Sequence, residues 1–261
     1  MYKKRGIFLF KNNCSRCIII SWEGILFLET CTSRYEKLMS VLSLASYDPK
    51  VDTLYALGDF TDRGRDAYMT LSFLMEQKNL KAVIGNHDLY LQNWLYTASP
   101  DEHWKRYLGG NKTVKDIKYR RKVSNAECIM IADWLRALPL VLLEDKYIIT
   151  HGGIPKGMDM NDLIRISGKK RDAISLMKGD ERITWDRDYF LSAFEGVYRD
   201  ELFSNLEPFD TEKTIFVGHT PIPSGKPLFS EGYHLIALDT GAGKGGMLTL
   251  MDMDSKEYWQ A

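Results

Sequence analysis

Four short apolar runs in this chain stop abruptly at polar, glycine-containing segments. Residues 53–57 (TLYAL) run into 58–64 (GDFTDRG), 81–84 (KAVI) into 85–88 (GNHD), 147–150 (YIIT) into His151-Gly152-Gly153, and 214–217 (TIFV) into Gly218-His219-Thr220. Short apolar runs bounded by glycine and polar residues read as buried strands. Between and before them, residues 34–45 and 66–77 carry apolar side chains at helical spacing, so the order helix, strand, loop, helix, strand predicts a βαβ unit with parallel strands. Residues 89–95 predict a further helix. Ser124-Asn125-Ala126-Glu127 has the spacing of a capping box and opens a helix running to about Leu138, before Pro139. Residues 99–124 are polar, basic and irregular, with Gly109-Gly110 read as a turn, and are taken as an insertion over the site. A second variable region covers 158–208. Residues 234–238 and 247–251 read as two strands around the glycine-rich turn 239–246 (DTGAGKGG), a plain hairpin, because Lys244 lacks the GxxxxGK[ST] arrangement of a nucleotide loop.

Composition changes this picture little. The 261 residues, 44% hydrophobic and 27% charged, suffice for a large core, and all motifs fall in one alternating series. Thirty-five basic residues balance thirty-five acidic ones, so no global charge points to nucleic acid or to an acidic membrane. The longest apolar stretch, 18–28, is interrupted by Glu23 and is too short to span a bilayer. Cys14, Cys17, Cys31 and Cys128 form no paired framework, as in a reducing compartment, and a cytoplasmic location is expected. Cys14-Ser15-Arg16-Cys17 has no second half to complete a zinc site.

Open α/β sheets keep their sites beyond the carboxyl ends of strands. Here those ends carry Asp59, Asn86, His151 and His219. Asp59 offers a hard oxygen able to bridge two ions, Asn86 a neutral oxygen, and the two histidines imidazole nitrogens, a mixture that suits Mn, Fe or Zn better than Ca or a structural zinc. Taken singly, Asp62 or Asp88 would serve as a turn carboxylate or helix cap, and His151 or His219 as a partly exposed histidine. The agreement of four strand ends favours ligation. His103 and His234 are read as structural.

GDxxDRG, then GNHD, HGG and GHT, resembles the calcineurin-like metallophosphoesterases, and within them the phosphoprotein phosphatases with their bacterial and phage relatives; the likeness covers about residues 34–251. The resemblance implies an α/β fold, a β-sandwich flanked by helices in four layers (α/β/β/α), forming a catalytic domain over 34–261. It implies two divalent ions, manganese first and iron or zinc next, roughly 3.5–4 Å apart, sharing a hydroxide that attacks phosphorus directly. Asp59 would bridge the ions and Asn86, His151 and His219 would complete one of them. His87 would protonate the leaving group, Asp62 would orient His87, and Arg63 and Arg187 would hold phosphoryl oxygens. Arg171 and Arg182 lie close in sequence to Arg187 and compete for that role. The implied substrate is phosphoserine or phosphothreonine in proteins. GNHDLYLQNWL and LDTGAGKGGMLTL are also similar to the symmetrical diadenosine tetraphosphate hydrolases, whose second motif usually lacks an acid where Asp62 stands.

One part of the pattern is missing. The family begins with GDxHG, whose Asp and His ligate the other ion, yet no Asp or His precedes Asp48 and the corresponding place reads 27–34, FLETCTSR. Residues 27–32 permit the codons TTC TTG GAG ACA TGC ACN, which read from the third base would give Leu-Gly-Asp-Met-His. Residues 1–33 therefore read as an atypical segment, a frameshift product, with Ile25–Leu28 as candidate for the family's first strand. Taken as written, the chain would be an impaired phosphatase-like module.

Overall fold

The computed structural model describes residues 24–28, 33–168, 171, 179–198 and 205–261. Two five-stranded sheets face each other. The first has the order β10-β9-β1-β2-β3, built from β1 (Ile25–Leu28), β2 (Thr53–Ala56), β3 (Leu80–Ala82), β9 (Thr249–Asp252) and β10 (Tyr258–Gln260). The second has the order β4-β5-β6-β8-β7, built from β4 (Val141–Leu143), β5 (Tyr147–Thr150), β6 (Thr214–Val217), β7 (Leu228–Ser230) and β8 (Leu235–Ala237). β1, β2 and β3 are mutually parallel, as are β5, β6 and β8, while the flanking strands are antiparallel.

The strands are apolar on both faces because both faces are covered. Tyr55, Ile149, Phe216, Ile236 and Met251 point into a core shared by the two sheets. Their neighbours Leu54, Ala56, Ile148, Ile215 and Ala237 belong to the larger core that also takes in the helices. Against the first sheet lie α1 (Tyr35–Leu44) and α2 (Ala67–Glu76), which bury Leu38, Val41, Leu42, Leu71 and Leu74. The other helices are α3 (Asn86–Thr97), the short α4 (Gly110–Val114), α5 (Asn125–Ala137), α6 (Met160–Ser167) and α7 (Asp188–Ala193). The result is a helix-flanked pair of mixed sheets, the α/β class and layering expected.

Most expected elements fall within a residue or two of their places, and Ser124 caps α5 as its capping box requires, with the Glu127 amide bonded to Ser124 Oγ at 3.2 Å. Three expectations need correction. The helix expected from Leu89 starts three residues earlier: α3 begins at Asn86, and Asp88 Oδ2 accepts from the Gly85 amide at 2.9 Å at its N-terminus. Residues 99–124 are not irregular; Trp104–Leu108 and Lys115–Arg120 form wide π turns on either side of α4, burying Trp104, Thr113, Val114, Asp116 and Ile117. The glycine-rich turn is not a hairpin, because β8 lies in one sheet and β9 in the other, so residues 239–246 cross between sheets through a tight turn at Ala242–Lys244.

Among the described residues no helix is long and apolar enough to cross a membrane. β1 is the strand expected from Ile25–Leu28, pairing with β2 and β9. Residues 1–23 and 29–32, which hold most of the atypical segment, Cys14, Cys17, Cys31 and the place of the missing motif, lie outside the described residues.

Candidate active site and metal centre

The site lies where the parallel strands of both sheets end. Gly58 and Gly85 bring the loops after β2 and β3 together: a Cβ on Gly58 would stand 2.5 Å from the Gly85 amide nitrogen, and one on Gly85 2.2 Å from Asp59 Oδ1 and 2.4 Å from the Asp59 amide nitrogen. No side chain fits at either position. The motif residues themselves carry strain, since Asp59, Asp62, Arg63 and His219 all sit at positive φ, between 52° and 73°, a region that non-glycine residues occupy at a cost and that clusters at functional sites.

Asp59, His151 and His219 each present a ligand atom within 4.8 Å of the others, and all three are buried. His151 Nε2 lies 3.3 Å from Asp59 Oδ1 and 3.0 Å from Asn86 Oδ1, so Asn86 joins the group. The Leu57 carbonyl accepts from His151 Nδ1 at 2.5 Å, which assigns the proton to Nδ1 and leaves Nε2 free to ligate. Burial, and then the neighbouring His151, hold the His219 pKa well below its ordinary value, keeping that imidazole neutral. Burial raises the pKa of Asp59, but the adjacent His151 and His87 outweigh it and hold the carboxyl below its usual range. A buried carboxylate, a neutral imidazole, an oriented imidazole and an amide oxygen fit one divalent cation.

Beside this group, His87 Nδ1 meets Asp62 Oδ2 at 2.5 Å, and His87 Nε2 lies 3.9 Å from Asp59 Oδ2. Burial opposes protonation of His87, yet Asp59 and Asp62 outweigh it and raise its pKa. Arg63 Nη2 stands 3.1 Å from His87 Nε2, and Arg187 Nε 3.4 Å from His219 Nε2. All eight sequence-predicted residues, Asp59, Asp62, Arg63, Asn86, His87, His151, Arg187 and His219, are thus brought together. Arg171 is not at the site: its guanidinium is buried against the end of α5, bonded to the carbonyls of Leu135 and Leu138. His103 is exposed and packs on Tyr107.

Residues 30–240 match the family model described as calcineurin-like phosphoesterase. The chain belongs to that family. Its members are phosphoester hydrolases, so the chain is an enzyme of that class, and the family implies divalent metal ions. A protein from Pseudomonas fluorescens (strain Pf0-1) named bis(5'-nucleosyl)-tetraphosphatase, symmetrical, is 26% identical over 267 residues, covering 85% of each chain. Among solved structures, a protein serine/threonine phosphatase from Saccharomyces cerevisiae is 16% identical with a TM-score of 0.58, covering 92% of this chain and 80% of its own. A cold-active protein-tyrosine phosphatase from a psychrophilic Shewanella species is 15% identical with a TM-score of 0.57 over the same shares. These two structures share the fold.

Sequence reasoning left Asp88 as a turn carboxylate or cap, and it does more. Its two oxygens accept from the amides of Asp59 (2.7 Å), Gly85 (2.9 Å) and Phe60 (2.9 Å), pinning the two ligand loops to each other. Burial, followed by the Asp59 charge, pushes its pKa well above the ordinary carboxylate value. The signal was available, since Gly85-x-x-Asp88 has the same spacing as the capping box at Ser124. Trp185 was also passed over as a site residue; its ring stands edge-on to His219 at 6.0 Å.

Proposed function

We propose that this chain hydrolyses phosphoric esters or anhydrides, with Asp59, Asn86, His151 and His219 holding a divalent cation and His87, oriented by Asp62, protonating the leaving group. The observation that carries this reading is the buried 2.5 Å contact between His87 Nδ1 and Asp62 Oδ2 next to the ligand group. The bound cation supplies Lewis acidity that makes water acidic and offsets phosphoryl charge; manganese is the ion to try first. The Asp62 carboxylate accepts from Nδ1–H and supports the imidazolium, whose second proton, on Nε2, is the one given to the leaving group. Arg63 and Arg187 reach the site from separate loops, and a planar fork suits phosphoryl oxygens.

Two substrate readings follow. The relatives support symmetrical cleavage of a dinucleoside tetraphosphate, the activity their name prints, and this is the better supported of the two. The acid pair favours phosphoserine or phosphothreonine: a serine alkoxide is strongly basic and needs a proton as it leaves, whereas a nucleoside diphosphate departs as a weakly basic anion. The deciding experiment assays the manganese-loaded chain on diadenosine tetraphosphate and on a phosphoserine peptide, with His87→Asn as control. A kcat/KM preference of about 10²-fold or more for one class assigns it. Turnover of neither, or turnover indifferent to His87→Asn, would discard the reading.

The described ligand group serves one ion, and among the described residues no second group of three His, Cys, Asp or Glu side chains converges. Both ends flanking 29–32 are held beside the Asp59 loop: Leu28 pairs with Ala56, and the Ser33 amide donates to the Phe60 carbonyl at 3.0 Å. We therefore propose that residues 1–33 are a frameshift product and that the chain as written is an impaired enzyme. Installing Glu29→Gly, Thr30→Asp, Cys31→Met and Thr32→His together should raise bound manganese from one ion to two and kcat by about 10²-fold. No change in either would remove the idea.

A further inference from the structure

Asp62 is the link between His87 and the rest of the molecule, and the segment 104–114, some forty to fifty residues away in sequence, holds it. Trp104 Nε1 donates to Asp62 Oδ2 at 2.5 Å, the same oxygen that faces His87 Nδ1. Thr113 Oγ1 donates to Asp62 Oδ1 at 2.6 Å and accepts from the Asp62 amide at 3.0 Å. The Asp62 side chain is therefore bonded at both oxygens, and its backbone, at φ 73°, is tied by the same threonine hydroxyl. Asp62, Trp104 and Thr113 are all 0% exposed, so none of these bonds competes with water and each is worth more than at the surface.

The segment is built to keep that geometry. The Trp104 ring stacks on Tyr90 of α3 with centroids 6.2 Å apart and an interplanar angle of 6°, and meets Trp94 at 6.0 Å. Gly110 lets the chain pass under it, since a Cβ there would stand 2.3 Å from the indole. Gly109, at φ 100°, lies on Arg63, where a Cβ would meet the Arg63 amide nitrogen at 2.9 Å, and Lys112 Nζ donates to the Arg63 carbonyl at 2.8 Å. The Gly109-Gly110 pair, read from sequence as a turn, is the surface on which the Asp62-Arg63 loop rests.

We infer that Trp104 and Thr113 are positioning residues for the proton donor. Their hydrogen bonds fix the Asp62 carboxylate in the one orientation that engages His87 Nδ1, and so hold the imidazolium with its Nε2–H toward the leaving group. This rests on the reading of His87 as general acid. Loss of either bond leaves the ligand group of Asp59, Asn86, His151 and His219 untouched, so the defect is confined to proton delivery.

Leaving-group dependence tests it. Steady-state kcat and KM are measured for manganese-loaded protein on a series of aryl monophosphates whose phenols span a range of basicity, for wild type, Trp104→Phe, Thr113→Val, Thr113→Ser and His87→Asn. Trp104→Phe keeps the ring packing and removes the N–H; Thr113→Val keeps the shape and removes the hydroxyl. The expected result is a fall in kcat of about tenfold for the most basic phenol, shrinking toward none for the least basic, with KM within about twofold and Thr113→Ser close to wild type. His87→Asn should show the same dependence more steeply. If His87→Asn loses activity evenly across the series, the general-acid reading fails. If His87→Asn shows the dependence while Trp104→Phe and Thr113→Val follow wild type, or lose activity evenly in step with a lowered Tm, the positioning role alone is overturned.

Discussion

The ligand group and the proton-donor side of the site are assembled in different ways. Asp59, His151 and His219 come from the ends of parallel strands, and Asn86 from the first turn of α3 just past one, so four short connections deliver four donors to one point. The donor side depends on a helical strap far away in sequence: His87 leans on Asp62, and Asp62 leans on Trp104 and Thr113. Strand ends of the two facing sheets, with Asp88 tying the loops after β2 and β3, bring these residues together. The proton donor needs a tertiary clamp, which can loosen while the ligands stay in place.

Two glycines give the sharpest way to separate the halves. In Gly85→Ala the added methyl meets the Asp59 amide nitrogen at 2.4 Å and Oδ1 at 2.2 Å, and backbone on a strand end has nowhere to move. The expected cost is ~3 kcal/mol of stability or more, with loss of manganese binding and of activity on every substrate. In Gly110→Ala the methyl meets the Trp104 indole instead, a side chain that can tilt, so a smaller cost of ~1–2 kcal/mol is expected. Metal content should persist, and the activity that is lost should be lost mostly on basic leaving groups. Calorimetry, metal analysis and the aryl phosphate series read both. Loss of metal in Gly110→Ala would show the two halves to be one unit.

The same contrast accounts for what could be read from the residues alone. An apolar run ending in glycine and a side chain able to ligate metal is a local signal, and its recurrence at Asp59, Asn86, His151 and His219 located the strands and the four side chains that converge at their ends. The strap gave no such signal. Its π turns break the 3.6-residue period, and the groups that matter in it are one indole N–H and one hydroxyl whose partner is about forty to fifty positions away. Three-residue edge strands such as β4, β7 and β10 are too short to show alternation. The turn 239–246 looked like a hairpin because sequence spacing cannot tell which of two sheets a strand joins; β8 and β9 pair in different ones.

A smaller effect lies on the ligand side, where Asp186 fills the space that Gly153, two residues after His151, leaves open: a Cβ on Gly153 would stand 2.5 Å from Asp186 Oδ1. The same oxygen accepts from the Tyr189 amide at 3.2 Å at the start of α7. Burial, with some repulsion from Asp188, pushes the Asp186 pKa up to about 6. Because the folded-state value is raised, the folded protein holds its proton longer than the unfolded chain does. The penalty is therefore absent below the unfolded value near pH 4, grows as pH rises toward 6, and is complete above it. Asp186→Asn keeps the acceptor for Tyr189 and removes the ionisation. It should match wild type in stability at pH 4 and exceed it by ~1–2 kcal/mol at pH 8, after allowance for partial exposure, as denaturant titrations at the two pH values would show. A gap of equal size at both would mean that packing against Gly153, and not charge, sets the energy of this contact. With manganese retained throughout, the variant would also show that the ligand side tolerates a neutral neighbour.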